Sequence, residues 1–295
     1  MLTRRRLICI SAAALAAPAV LRAGAATAPL LTDRELAAAE KASGGRLGLA
    51  ALDVETGRSA RWRAEERFAM ASTFKAPLVA DTLARVDRGE EDLSRPVTIR
   101  EDDLVPWSPA LEPRVGEAMT VAQLCEAAIT VSDNAAANLL LAALGGADRF
   151  TAARRAMGDP ATRLDRVEPD LNEAAPDDPR DTTSPAAMLD WMSAVFAGDA
   201  LSEESRARLF DWMEASRTGL ARLRSGLPRD WRAGDKTGTT RSGLVADLAV
   251  AAPSGRRPLL IAVYLAETTG EREAAEAIHA ALAREIVAAL GAPAG

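Results

Sequence analysis

The chain has 295 residues, 48% hydrophobic and 26% charged, with a formal net charge of −6. That composition is globular rather than disordered, and the acidic balance argues against a nucleic-acid binder, which would present a basic face. The one strongly basic cluster, Arg4-Arg5-Arg6, opens an N-terminal segment with an apolar run from Leu7 to Leu21 and the small residues Ala23-Gly24-Ala25. The pattern predicts a cleavable secretory signal over residues 1–25. Thr3-Arg4-Arg5-Arg6-Leu7-Ile8 also fits a twin-arginine export signal. The apolar run is too short to span a bilayer comfortably. The expectation is an exported protein, periplasmic or secreted, with no membrane attachment after cleavage. Cys9 leaves with the signal, so Cys125 has no partner and no internal disulfide is expected. In Val121-Ala122-Gln123-Leu124-Cys125 the thiol reads as a small buried hydrophobe.

Thr32-Asp33-Arg34-Glu35 has capping-box spacing and predicts a helix to about Ala42, stopped by Gly44-Gly45. Leu47–Val54 and Ser59–Trp62 read as two strands around the turn Glu55-Thr56-Gly57-Arg58, a β-hairpin. From Ser72 onward the pattern is helical, over Ser72–Val86, Val121–Thr130, Asn134–Leu144, Ala147–Met157, Pro185–Val195 and Glu203–Met213. Strand patterns return at Trp231–Thr240, Leu244–Ala252 and Leu259–Leu265, and a last amphipathic helix covers about Glu271–Leu290. The early hairpin and the late strands can join in one sheet. The expected fold is α+β, an α-β sandwich. A five-stranded antiparallel sheet is flanked by the N- and C-terminal helices, with an inserted all-helical domain. The predicted division is residues 26–64 and 215–295 for the α/β domain, and 65–214 for the all-α domain, including a loop over 162–183. The crevice between them is the natural place for a site.

Chemistry is restricted by what the chain lacks. His279, in the last helix, is the only histidine, which leaves a Ser-His-Asp hydrolase without a plausible base and rules out a His/Cys metal cluster. No cofactor or metal is expected. Bases must come from carboxylates or lysines. Against 33 Arg there are three Lys, namely Lys41, Lys75 and Lys236. Arginine does not lose its proton in a protein, whereas a buried amine can, so the positions that keep lysine are informative. Lys41 ends the first helix and reads as a solvated residue. Ser72-Thr73-Phe74-Lys75 puts a hydroxyl and an amine one turn apart on a helix start, where the amine can take the serine proton. Alone this motif is weak, since a helix cap followed by a surface lysine looks the same. Ser132-Asp133-Asn134 lies between two helices, where an N-cap turn is the simpler reading. Lys236-Thr237-Gly238 lies on a strand, and glycine there lets another molecule approach the backbone. Glu168-Pro169-Asp170-Leu171-Asn172 lies in the loop from Thr162 to Thr183, and a loop of that length in a compact domain is usually functional.

Taken together and in this order, the motifs resemble the class A serine β-lactamases, over essentially all of residues 30–290. The resemblance implies a small-molecule β-lactam substrate, hydrolysed through an acyl-serine, and a monomer. It implies Ser72 as nucleophile, Lys75 as proton acceptor or relay, and Ser132 as proton donor to the departing nitrogen. Glu168 would be the base for the deacylating water, held with Asn172. Whether Lys75 or Glu168 serves acylation is left open. Asn134 would bind the substrate's side-chain amide, Lys236 and Thr237 its carboxylate, and the peptide N–H groups of Ser72 and Thr239 its oxyanion. Gly238 belongs to the same strand motif. Arg166 and Asp181 would pin the loop, Glu168–Pro169 would be cis, and Trp107 would wall the cleft. The arginine that many members carry just past this strand is replaced here by Ser242-Gly243-Leu244-Val245. Arg222 matches the alternative source of that charge. Ala71 and Thr240 exclude the extra active-site disulfide of some carbapenem-hydrolysing relatives. A D,D-peptidase or penicillin-binding protein shares the serine, lysine and Lys-Thr-Gly groups, but lacks the pair Glu168 and Asn172.

Overall fold

The computed structural model describes residues 28–173, 175 and 177–291, and the expected signal lies outside them. The first helix, α1 (Asp33–Ser43), carries the predicted capping box between Thr32 and Glu35, and Gly44 closes it at φ 63°. Strands β1 (Arg46–Asp53) and β2 (Ser59–Trp62) form the expected hairpin, with Leu49 opposite Trp62. There follow β3 (Phe68–Ala69), α2 (Lys75–Asp87), β4 (Pro96–Thr98), β5 (Ala118–Thr120), α3 (Val121–Thr130), α4 (Asn134–Leu144) and α5 (Ala147–Ala156). The chain continues with β6 (Thr182–Thr183), α6 (Pro185–Phe196), α7 (Glu203–Glu214) and the short α8 (Leu223–Gly226). It ends with β7 (Arg232–Thr239), β8 (Val245–Ala252), β9 (Leu259–Ala266) and α9 (Arg272–Leu290).

The main sheet is five-stranded in the order β2-β1-β9-β8-β7, and every neighbouring pair is antiparallel. The late strand β9 therefore closes against the early β1, with Leu49 opposite Val263. Strand β9 shows why such segments read as unbroken apolar runs. Leu259, Ile261, Val263 and Leu265 point into one core with residues of α1 and α9, while Leu260, Ala262 and Tyr264 point into another with the central helices. A sheet covered on both faces needs apolar residues at both parities. Each fully buried large aliphatic side chain contributes roughly 1.5–3 kcal/mol.

The structure departs from the sequence expectation in local detail. The helix expected from Ser72 begins as a 3-10 turn, Ala71–Phe74, before α2 starts at Lys75. The pairs β3–β6 and β4–β5 were not expected. Strands of two or three residues are too short to show periodicity, and only their distant partners define them.

Candidate active site

Ser72 sits on the 3-10 turn, which β7 approaches closely. A Cβ on Gly238 would come within 2.7 Å of the Met70 carbonyl oxygen and 3.1 Å of Thr73 Cγ2. The glycine thus makes room for the chain's own Ser72 turn, where the sequence suggested room for another molecule. One turn after Ser72, at the start of α2, the Lys75 amine is fully buried and converges on five oxygens. These are Asn134 Oδ1 at 2.5 Å, Ser132 O at 2.8 Å, Glu168 Oε1 at 3.0 Å, Ser72 Oγ at 3.1 Å and Ser132 Oγ at 3.3 Å. Burial pushes this amine below its usual range, and the Glu168 carboxylate works in the opposite sense. Ser72 Oγ lies 3.4 Å from Glu168 Oε1.

Three non-glycine residues beside the site adopt left-handed backbone, namely Ala71 (φ 42°), Trp107 (φ 67°) and Ser132 (φ 58°). Such conformations cost on the order of 1–3 kcal/mol each and persist only where the surroundings impose them. Asp133 anchors the chain next to Ser132. It caps α4 through Ala136 N at 2.9 Å and takes the peptide N–H groups of Ala110 and Leu111 at 2.9 and 3.2 Å. The cap expected at Ser132-Asp133-Asn134 is therefore real, and it also serves the site. Asn134 N donates to Trp107 O at 2.9 Å, and the Asn134 amide donates to Pro106 O at 2.8 Å. Trp107 is 65% exposed, as expected of a residue on the cleft wall.

Glu168 is buried at the base of its loop. Asn172 Nδ2 donates to its Oε2 at 2.5 Å. Asn138, one turn beyond Asn134 on α4, bonds the Glu168 peptide on both sides, at 2.9 and 3.0 Å. Sequence reasoning missed Asn138, although its i+4 spacing from Asn134 was available as a signal. The loop ends are held by Arg166 Nε on Asp181 Oδ2 at 2.6 Å and by Thr162 against Thr183 at 2.7 Å. The Glu168–Pro169 peptide is cis.

On the opposite wall, Lys236 is also fully buried. Its amine donates to Ser132 Oγ at 3.0 Å and to Thr237 O at 2.9 Å. Burial, followed by repulsion from Lys75, brings it down to about 7, while Asp235, Asp247 and Glu168 pull the other way. Behind it, Asp235 and Asp247 are buried and both raised, chiefly by burial. Thr237 donates to Thr218 Oγ1 at 2.7 Å. Arg222 is only 3% exposed. It donates to Thr239 Oγ1 at 2.8 Å, Ala246 O at 2.7 Å and Gly238 O at 3.1 Å, and to Glu276 Oε1 at 3.3 Å. It is thus largely engaged with the protein, with its fork turned to the end of β7. Thr218 and Glu276 went unrecognised in the sequence, because nothing local ties either to β7. His279 is buried, its Nδ1 against Ala275 O at 2.8 Å, and burial with Arg222 nearby pushes it down to about 3. It cannot act as a base here.

These walls enclose an open cavity of about 1160 Å³. Of the expected residues, Ser72, Trp107, Ser132, Asn134, Asn172, Arg222, Thr237 and Thr239 line it, while Lys75, Glu168, Lys236 and Gly238 lie behind that lining. Two buried amines and a carboxylate gathered around the Ser72 and Ser132 hydroxyls can move protons between them without a histidine. The chain matches the family described as "Beta-lactamase enzyme family" over residues 31–290. It belongs to the class A β-lactamases.

Similar proteins agree along the whole enzyme. β-Lactamase AST-1 of Nocardia asteroides is 43% identical over 298 residues, covering 98% of this chain and 96% of that protein. β-Lactamase CTX-M-8 of Citrobacter amalonaticus is 44% identical, covering 85% and 86%. A solved ancestral (GNCA) class A β-lactamase superposes with a TM-score of 0.85 at 56% identity, covering 87% of this chain and 98% of that one.

Proposed function

We propose that this β-lactamase hydrolyses penicillins and cephalosporins with Ser72 as nucleophile and Glu168 as the deacylating base, conferring resistance to them. The observation that carries this reading is the position of Ser72 Oγ, 3.1 Å from Lys75 Nζ and 3.4 Å from Glu168 Oε1, with Asn172 on the other Glu168 oxygen. Ser72 Oγ attacks the lactam carbonyl and passes its proton to Lys75 or Glu168. The peptide N–H groups of Ser72 and Thr239 hold the oxyanion. The C–N bond breaks as Ser132 protonates the departing nitrogen and recovers a proton from Lys75, so that the proton taken from Ser72 ends on the nitrogen and Glu168 is left ionised. Water placed by Glu168 and Asn172 then loses a proton to Glu168 and attacks the ester, and the bond to Ser72 Oγ breaks as that oxygen takes the proton back from Glu168, which restores both groups. Lys236, Thr237 and Arg222 receive the substrate carboxylate, and Asn134 the side-chain amide.

A D,D-peptidase would share the hydroxyls and amines, but its acyl-enzyme has no counterpart of Glu168 with Asn172 to hydrolyse it. That pair, aimed at Ser72, favours the lactamase. We further propose that the enzyme is exported and acts as a monomer. Purified protein should hydrolyse nitrocefin and benzylpenicillin with or without EDTA, and Ser72→Ala should abolish turnover. Loss of activity to EDTA that zinc restores would overturn the serine mechanism.

A further inference from the structure

The carboxylate end of the cavity carries a cation that the proposed reaction does not use. Arg217 follows α7 and leads into the segment that bears Arg222. Its peptide N–H donates to Thr130 O at 2.9 Å, two residues before Ser132. The next residue, Thr218, accepts from Thr237 Oγ1 at 2.7 Å. The Arg217 backbone is thereby fixed between the Ser132 turn and the Lys236-Thr237 strand. Its side chain is exposed and lines the cavity. Arg222 and Arg272, on the same wall, share Glu276 at 3.3 and 3.7 Å. Among the described residues, the Arg217 guanidinium has neither an ion pair nor a hydrogen bond.

Substrate chemistry says what would meet it. Ser132 serves the lactam nitrogen, and Lys236 with Thr237 serves the carboxylate on the ring atom bonded to that nitrogen. In a cephalosporin, the next ring carbon carries the C3 substituent, which lies beside the carboxylate and so on the side where Arg217 stands. A free guanidinium fork there can take up an anion in a planar, two-point contact.

We propose that Arg217 is a specificity-determining residue that favours β-lactams bearing a second negative charge on the substituent next to the ring carboxylate. The inference rests on the reading of Lys236 and Thr237 as the carboxylate site. Because Arg217 is exposed, its effect is modest and weakens as salt is added.

Cefotaxime and ceftriaxone form a matched pair for the test. They share one acyl side chain, while the C3 group is a neutral acetoxymethyl in the first and an acidic triazine, anionic at neutral pH, in the second. The measurement is kcat/KM for both substrates, and their inhibition constants against nitrocefin hydrolysis, for the wild type, Arg217→Ala and Arg217→Glu at two salt concentrations. Arg217→Ala should lower kcat/KM for ceftriaxone roughly three- to tenfold and leave cefotaxime within about twofold, as expected for one exposed charge-assisted contact. Arg217→Glu should cost ceftriaxone more, and added salt should shrink the wild-type preference. A ceftriaxone-to-cefotaxime ratio unchanged by either variant, or an equal loss on both substrates, would overturn the inference alone. A wild type that turns over neither nitrocefin nor cefotaxime would overturn the functional reading on which it rests.

Discussion

Lys75 and Lys236 both reach the Ser132 hydroxyl, one from the start of α2 and the other from β7, and both are fully buried. Their surroundings differ. Lys75 has more oxygens than its three protons can serve, including a carboxylate at 3.0 Å. Lys236 has a hydroxyl and a carbonyl, and no carboxylate within ion-pair distance among the described residues. A buried cation without an adjacent anion is costly unless something else supplies the charge. The Lys75 half is a closed hydrogen-bonded network, which on the proposed reading moves protons. The Lys236 half is electrostatically unfinished, and the carboxylate of a substrate would complete it.

That contrast can be broken at either lysine. Removing the closed network should have the larger effect. Lys75→Ala deletes the amine that links Ser72, Ser132, Asn134 and Glu168, and should lower kcat by roughly 10²–10⁴-fold, the range of general acid–base help. Steady-state turnover of benzylpenicillin checks this, and a loss smaller than tenfold would show that the network does not run through Lys75.

Arg222→Ala probes the unfinished half. It should raise KM by about an order of magnitude, the scale of one charge-assisted hydrogen bond, with a smaller change in kcat. Glu276 and the Gly238 and Ala246 carbonyls also lose a donor, so a lower melting temperature should accompany it. Unchanged KM for penicillins would place the carboxylate elsewhere.

The smallest effect should appear in the pH profile. With Lys236 down to about 7, its amine is charged below that pH and neutral above it. Because kcat/KM reports the free enzyme, it should fall as pH rises through about 7, and Lys236→Arg should remove that limb. A profile flat from pH 6 to 9 in the wild type would show that the amine stays charged.

The sequence made some of this site legible and hid the rest for physical reasons. Capping at Thr32, the strand segments β7 to β9 and the one-turn spacing of Ser72 and Lys75 are local, and each appears in the structure. Glu168 lies close in sequence to neither lysine, and its loop could be singled out only by length and composition. The contact with Lys75 arises because Asn138 and the Arg166–Asp181 pair fold that loop back onto α4. Glu276 lies on α9 and meets Arg222 only through packing of α8 against α9. The need for glycine at position 238 reads from sequence as an opening for a ligand, and only tertiary contact shows Met70 filling that space.

Glu168 tests the central claim most directly, because acylation and deacylation are separate steps and only the second needs an activated water. Glu168→Ala keeps Ser72, the oxyanion donors and the carboxylate site, and Lys75 keeps Asn134 and Ser132 as partners. Mass spectrometry after mixing this variant with benzylpenicillin should show the protein heavier by one intact penicillin, attached at Ser72, and the adduct should persist. A variant that turns over normally, or never acquires the adduct, would contradict the assignment of Glu168 to deacylation.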